Sequence, residues 1–207
     1  MGDLNRVVLT GFVTDSEGIE FKPSKGKSFL VVRSDRFSGT PDDIIVEIPR
    51  RLKNTFREWN WVRVSGKFRS RWGVINGKKK EFLYLEALDI NTEGNLLINT
   101  VEMTACICKK PVLRKTPLGK TICEVRIAVN GNDRSDYIPC ICWKNLAVKA
   151  SEMGVGTKVK LKGRMQSRGY WKKQRDNSYV RKTAYEVSVI AVEEIKDEKG
   201  NFEKTER

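Results

Sequence analysis

The same order of short sequence segments occurs twice in the chain, about 95 residues apart. NRVVLTGFV (5–13) is matched by NTVEMTACI (99–107), and VRVSGKFRSR (62–71) is matched by VKLKGRMQSR (159–168), with glycine and Ser-Arg in register. A repeat that covers this many segments indicates two tandem domains of one fold, with about 100 residues each. Such units are too small and too rich in strands for an α/β enzyme core.

Alternation of apolar and polar residues predicts five strands in each half. In the first half they cover residues 5–13, 28–36, 44–49, 61–72 and 81–90, and in the second half residues 99–107, 119–129, 136–143, 159–168 and 185–189. Apolar residues at i, i+4 and i+7 predict a short helix between the third and fourth strands of each half. The helix residues are Leu52, Phe56 and Trp59 in the first half, and Leu146, Ala150 and Met153 in the second.

This element order predicts an all-β fold with one short helix per domain, arranged as two tandem OB-fold five-stranded Greek-key barrels. The domains are expected at residues 1–92 and 93–195, followed by a charged, flexible tail at 196–207. Gly66 and Gly163 lie inside the fourth strand of each half. Because glycine weakens a strand interior, a pair in register predicts a bend or bulge that curls each sheet toward closure.

The chain is strongly basic, with a net charge of +14 and a pI near 9.7. Residues 1–95 hold 17 Lys/Arg and 13 Asp/Glu, whereas residues 96–207 hold 23 and 13. Nucleic acid is the expected partner, since each neutralised phosphate releases condensed counterions, although a basic surface that serves only solubility is the alternative. There is neither a long apolar run nor a signal-peptide pattern, so we expect a cytoplasmic, nucleoid-associated protein without a membrane partner.

Residues 157–190 read as a hairpin with an unusually one-sided charge. From residue 158 to 182 there are ten Lys or Arg and one acidic residue, interleaved with Tyr170, Trp171 and Tyr179. Cations that follow a phosphate backbone, beside aromatic faces on which bases stack, are typical of a groove for single-stranded nucleic acid. The polar segment 172–178 is predicted to connect the two strands.

The residue types for several other chemistries are missing from the sequence. There are five cysteines and no histidine, and four of the cysteines form two Cys-Ile-Cys pairs in strand-like runs. Reduced core cysteines are therefore favoured over a zinc site, and no cofactor is expected. No phosphate-binding loop motif occurs, and the acidic pairs Asp42/Asp43 and Glu193/Glu194 lie at turns or near the tail. These features favour binding over catalysis, with a magnesium-dependent nuclease as the enzyme alternative.

The second half resembles bacterial single-stranded DNA-binding proteins over nearly its full length. The motifs that carry the resemblance are TPLGKTICEVRIAVN (116–130), DYIPCICWKNLAVKASEMGVGTKVKLKGRMQSR (136–168) and TAYEVSVIAVEEI (183–195), and the first half looks like a diverged copy. The resemblance implies sequence-tolerant binding of single-stranded DNA in replication, recombination, repair or mobile-element transfer. A primosome-type or RNA-binding OB-fold protein is the alternative, in which the 2′-hydroxyl would matter.

The resemblance also implies which residues bind DNA. Bases are expected to stack on Trp143 and on Tyr170 or Trp171, while Arg164 and Arg168 contact phosphates. The remaining predicted contacts are Lys172, Lys173, Arg181, Arg71 and Trp72. The alternatives are a core or interface role for Trp143 and an ordinary solvated loop for the hairpin cations. Trp59 and Trp61 are assigned to the first domain's helix stripe and core.

Two departures from the family pattern concern assembly. Members usually have one barrel per chain and form homotetramers, so two barrels imply a homodimer with four barrels, or a monomer whose domains pair internally. Many members also end in an acidic tail that recruits replication and repair enzymes. This chain ends in EEIKDEKGNFEKTER, which lacks that motif, so recruitment through the tail is in doubt.

Overall fold

Ten strands provide nearly all of the regular structure in the computed structural model, which describes residues 2–16, 19–36, 38–75, 77–174 and 176–195. The first half contains β1 (Asn5–Thr14), β2 (Lys27–Asp35), β3 (Pro41–Pro49), β4 (Trp61–Ile75) and β5 (Lys78–Asn91). The second half contains β6 (Asn99–Lys115), β7 (Thr121–Asn130), β8 (Ser135–Trp143), α1 (Asn145–Ser151), β9 (Lys158–Lys173) and β10 (Tyr179–Glu194). The predicted tail, 196–207, lies outside the described residues.

Each half closes on itself as a five-stranded barrel. In the first half β1 pairs with β2, β2 with β3, β3 with β5 in parallel, β5 with β4, and β4 again with β1. The second half repeats this circuit with β6 to β10, including the parallel pair of β8 and β10. This is the Greek-key closure of the OB fold, so the predicted tandem architecture is confirmed.

The predicted bulges are confirmed at both glycines. The β4–β5 register shifts beside Gly66, and the β9–β10 register shifts at Val189/Ala191, next to the Val189–Gly163 pair. A Cβ atom at Gly66 would lie 2.0 Å from the Glu86 carbonyl oxygen, and one at Gly163 would lie 2.5 Å from that of Ser188. Only glycine therefore allows the backbones to approach this closely where each barrel bends.

The helix predicted in the first domain does not form. The structure has only a 3-10 turn, Arg50–Leu52, followed by turns, and Trp59 has a φ of +67°, which is outside the helical region. The backbone N–H of Arg57 donates to Asn60 Oδ1 at 2.8 Å, so a side chain satisfies the backbone locally. Phe56 is buried as predicted, but Trp59 is 71% exposed, and its assignment to a buried helix stripe was wrong.

The helix predicted in the second domain is confirmed as α1. Ala147 and Ala150 are buried and pack into the main core, with Leu146 and Met153 partly buried against it. The sequence NLAVKAS has two alanines, which favour a helix and let it approach the barrel closely. The first domain has no alanine in the corresponding segment, 50–60.

The two barrels join edge to edge through β1 and β6, which pair antiparallel with Val7 opposite Val101. Because these valines are equivalent in the two repeats, a pseudo-twofold axis passes between them. Asn5 exchanges hydrogen bonds of 2.8 and 3.0 Å with the backbone of Phe68, and Asn99 exchanges bonds of 2.9 and 2.8 Å with Met165. The barrels therefore pair within one chain, an arrangement that a monomer and a homodimer with four barrels can both contain.

A second set of contacts between the barrels follows the same symmetry. Asp136 accepts the Ser70 N–H at 2.8 Å and pairs with Arg69, also at 2.8 Å. Asp42 accepts the Ser167 N–H at 2.7 Å and pairs with Arg36 of its own barrel at 2.5 Å. Both carboxylates are buried, with exposures of 1% and 0%. The fourth strand of each barrel is thus fixed to the third strand of the other.

Candidate nucleic-acid interface

The β9–β10 hairpin carries seven of the ten predicted site residues and extends beyond the second barrel. Leu161, Met165 and Val187 face the core, so side chains one position away project from the outer face of the barrel. Strand pairing places Arg168 opposite Ala184 and Tyr170 opposite Lys182. The predicted residues on this outer face are Trp143, Arg164, Arg168, Tyr170 and Lys172.

Trp143 lies at the end of β8 and is half-buried. Its Nε1–H donates to the Ser188 hydroxyl at 3.2 Å, and Ser188 is paired with Arg164 in the neighbouring strand. Cys140 and Cys142 face the core, so Trp143 faces away from it. The indole is therefore oriented across the outer face rather than packed in the barrel.

The two predicted arginines of β9 differ in how much of their charge is available. Arg164 is half-buried, its Nη1 lies 3.6 Å from Asp42 Oδ2, and burial lowers the pKa of its guanidinium. Arg168 is exposed, lies 3.4 Å from Glu186 and has its guanidinium carbon 6.0 Å from the centre of the Tyr170 ring. Arg168 and Tyr170 therefore form the accessible cation and aromatic pair of this face.

The remaining hairpin residues project from the opposite side. Trp171 pairs with Arg181, and Lys173 pairs with Tyr179, one position out of phase with Tyr170. Trp171 is 67% exposed, compared with 38% for Tyr170. Tyr170 and Trp171 thus cannot contribute to one flat surface, although both are accessible. Lys172 and Lys173 belong to β9, so the predicted connection starts two residues later than expected.

The two predicted residues of the first barrel are placed differently from each other. Trp72 is 54% exposed, with the Lys79 ammonium 5.2 Å from its ring centre. The Arg71 guanidinium lies 5.0 Å from the Tyr84 ring centre and donates to Ser24 Oγ at 2.9 Å. Arg71 is therefore held by contacts within its own barrel.

A second basic hairpin, formed by β6 and β7, was not among the predicted site residues. Residues 109–120 contain five cations and no acidic residue, and Leu118 at its tip is 84% exposed. OB folds bind ligands between the loop that joins strands 1 and 2 and the loop that joins strands 4 and 5. The charge of this segment is visible in the sequence and could have indicated it. Its cations are Lys109, Lys110, Arg114, Lys115 and Lys120.

The cysteines are free, and three of them are core residues. Burial raises the pKa of the Cys142 thiol to about 12 and that of Cys140 well above its ordinary value. Within the described part of the chain there is no group of three or more metal-ligating side chains. No helix among these residues has the length and apolar character needed to cross a membrane.

Sequence comparison relates the second barrel to a known family. A profile of the single-strand binding protein family matches residues 98–195. The single-stranded DNA-binding protein of Oceanobacillus iheyensis is 32% identical over 103 residues, which cover 46% of this chain and 60% of that protein. Single-stranded DNA-binding protein B of Bacillus subtilis is 32% identical over 92 residues, which cover 41% of this chain and 81% of that protein. The match thus spans less than two thirds of the Oceanobacillus relative.

Structural comparison covers both barrels. The crystal structure of the wild-type single-stranded DNA binding protein from Thermus aquaticus has a TM-score of 0.71 and 24% identity, over 95% of each chain. A deletion mutant of the same protein has a TM-score of 0.73 and 22% identity, over 98% of this chain and 99% of that one. This likeness shows that the tandem arrangement is a shared fold.

Proposed function

The chain belongs to the single-strand binding protein family, and on this premise we propose that it binds single-stranded DNA in a sequence-tolerant way, by stacking bases and contacting phosphates. The binding protects single-stranded DNA in replication, recombination, repair or mobile-element transfer. Catalysis is not part of this function. The protein acts in the cytoplasm, in association with the nucleoid.

The observation that carries the proposal is the set of side chains on the outer face of the second barrel. Trp143 lies on that face at the end of β8 and contacts Ser188, and Arg168 lies beside Tyr170 in β9, with Lys182 opposite Tyr170. An aromatic face with cations on both sides matches the chemistry of a strand whose bases are stacked and whose phosphates face solvent. The basic β6–β7 hairpin adds five further cations to the same barrel.

The second barrel is proposed as the main binding domain. Its predicted residues Trp171, Lys173 and Arg181 line the reverse side of the hairpin, where a DNA strand that wraps around the hairpin tip would pass. Trp72 offers a smaller site on the first barrel. The proposed domain division is 1–92 and 93–195. Internal pairing of the barrels supplies a two-barrel unit within each chain, and a homodimer would contain four barrels.

The experiment that tests the function is a titration of tryptophan fluorescence with oligo-dT, at low and high salt. Stacking on Trp143 or Trp171 quenches the emission, and the affinity falls steeply as salt rises because counterions are released. Duplex DNA of the same length is the matched control and should not reproduce the quenching. An equal response to oligo-U would favour the RNA-binding alternative, and loss of intact oligonucleotide with magnesium would favour a nuclease.

A further inference from the structure

The outer face of the first barrel is an aromatic patch covered by a segment of its own chain. The patch consists of Phe29, Val31, Ile45, Phe82 and Tyr84, and it is separate from the main core. Residues 19–24, here called the strap, cross it between β1 and β2. The Phe21 ring stacks on Phe82 with ring centres 4.4 Å apart and planes at 19°, and Ile19 packs beside it.

Polar contacts hold the strap at both ends. Glu20 Oε2 lies 2.5 Å from Lys80 Nζ, and the hydrogen bond to Lys80 lowers the pKa of the Glu20 carboxyl. The Ser24 N–H donates to Glu47 Oε1 at 2.8 Å, and Arg71 donates to the carbonyl oxygen of Lys22. The strap thus presents an aromatic ring to the patch, and oxygen acceptors to Arg71 and Lys80.

Strand registers show which residues of the two barrels correspond. Ser70 and Ser167 make matching contacts with the opposite barrel, so Arg71 corresponds to Arg168 and Gly73 to Tyr170. A Cβ atom at Gly73 would lie 2.7 Å from Phe21 Cε1. Phe21 therefore occupies the space next to the position where the second barrel carries its accessible tyrosine.

We propose that the aromatic patch of the first barrel, with Arg71 beside it, is a second base-stacking site for single-stranded DNA, and that the strap occupies it in competition with the DNA. This inference rests on the proposed function of the chain. Phe21 takes the position of a stacked base on Phe82, and the Lys22 carbonyl and Glu20 carboxylate take positions suited to phosphate oxygens.

The strap is less firmly held than the surface beneath it. Phe82 and Tyr84 are buried, whereas Phe21 is half-buried, and Glu20 and Lys22 are exposed. Few buried contacts and no strand pairing make a segment one of the first to open locally. Opening the strap would expose Phe82, Tyr84 and Phe29, which are stacked or tilted against one another with ring centres 5.3 to 6.4 Å apart.

The test uses the full chain with the outer face of the second barrel weakened by Trp143→Ala and Tyr170→Ala. In this background Phe21→Ala is compared with Phe12→Ala, which removes a ring of the first barrel that packs on Trp61, away from the patch. Stacking contributes about 5- to 150-fold in affinity per base, so we expect Phe21→Ala to strengthen oligo-dT binding at least about fivefold. Phe12→Ala should have no such effect.

A second readout shows where the DNA binds. Photocrosslinking with iodouracil-containing oligonucleotide should label the peptide that carries Phe82 and Tyr84 in Phe21→Ala, more than in the parent. Glu20→Gln is a milder variant that weakens the strap at Lys80 while leaving Phe21 in place, and it should give a smaller gain. Thermal unfolding of each variant verifies that the barrels remain folded.

The outcomes separate this inference from the proposed function. If the wild-type chain binds oligo-dT but Phe21→Ala and Glu20→Gln, both folded, give no gain and no new crosslink, the strap proposal is overturned and the proposed function stands. If neither the wild-type chain nor Phe21→Ala binds, both proposals are overturned. A gain in Phe21→Ala that disappears when Phe82→Ala is added supports the site.

Discussion

The connection between the first two strands takes different forms in the two barrels. In the second barrel β6 is 17 residues long and continues into a projecting, basic hairpin with β7. In the first barrel β1 is 10 residues long, and the chain folds back over the barrel as the strap. The strap covers an aromatic surface, whereas the outer face of the second barrel presents the exposed Arg168 and Tyr170.

A few register positions account for this difference. Phe82 of the first barrel corresponds to Ala184, and Tyr84 corresponds to the buried Glu186, which pairs with Arg168. The fold specifies where outer-face side chains lie, but the residue at each position decides whether the face binds its own chain or remains accessible. The two barrels therefore have the same strand pairing but different outer surfaces.

The largest effect is expected for variants that remove the two buried carboxylates between the barrels. These variants test whether both carboxylates contribute equally to the stability of the protein. Asp136→Ala removes the buried carboxylate that Arg69 and the Ser70 N–H of the other barrel contact. Asp42→Ala removes the one that the Ser167 N–H of the other barrel and Arg36 of its own barrel contact. Removing one partner of a buried ion pair costs about 3–5 kcal/mol. We expect both variants to lose similar amounts of unfolding free energy in urea denaturation.

The exposed Asp89→Ala is the matched control for these two variants, and it should change the unfolding free energy by less than about 0.5 kcal/mol. If Asp136→Ala and Asp42→Ala behaved like this control, the contacts between the barrels would contribute little. A large loss in only one of them would show that the pseudo-symmetry does not extend to the energetics.

The second prediction compares an aromatic residue of the β9–β10 hairpin with one of the β4–β5 hairpin. Tyr170→Ala should weaken oligo-dT binding by about 1–3 kcal/mol, since one stacked base is lost. Trp72→Ala should have a smaller effect, because Lys79 already occupies a position over its ring. Fluorescence anisotropy of labelled oligo-dT measures both. A greater loss in Trp72→Ala would make the first barrel the stronger binding domain.

Much of the fold could be predicted because its causes are local in sequence. Strand alternation, the repeated glycines and the alanine-containing helix each leave a pattern, and all of these were confirmed. The helix of the first domain could not be excluded in the same way, because Leu52 and Phe56 have helical spacing whether or not Trp59 adopts a left-handed backbone. Apolar spacing does not reveal such a backbone conformation.

The residues of the candidate site could be predicted from the sequence, but the contacts that their side chains make could not. The charge and aromatic content of the hairpin indicated the surface, and the family resemblance indicated Arg168 and Tyr170, which the structure places on one face. Arg71 has the same sequence context as Arg168, yet its charge is directed to Ser24 and Glu47. These contacts join residues that are distant in sequence, so only the fold reveals them.

The third prediction uses this difference between Arg168 and Arg71. Each phosphate contact on a single strand contributes about 0.7 to the slope of log affinity against log salt. Arg168→Ala should lower the slope by that amount, and Arg168→Lys should retain it. Arg71→Ala should leave the slope of log affinity against log salt unchanged. It should lower the melting temperature of the protein, because Arg71 makes contacts within its own barrel. An unchanged slope in Arg168→Ala would show that its guanidinium serves Glu186 alone.

The smallest expected effect concerns Tyr185, which packs against both the main core and the aromatic patch of the first barrel. Burial, together with the nearby Asp43 charge, raises the pKa of its phenol from 10.0 to about 12. The folded chain therefore retains this proton where the unfolded chain loses it. The contribution to stability is fully present below about pH 10 and is lost as the pH rises to about 12.

The equivalent position in the first barrel is Leu83, which does not ionise. The loss of stability at alkaline pH that Tyr185 causes therefore has no counterpart at this position of the first barrel. Tyr185→Phe should reduce the loss of unfolding free energy between about pH 10 and 12, and it should remove a late step from the ultraviolet titration of tyrosinate. Equal losses in the wild-type chain and in Tyr185→Phe would mean that the phenol is hydrated in the folded protein. In that case the contact between the β9–β10 hairpin and the first barrel would be looser than its packing indicates.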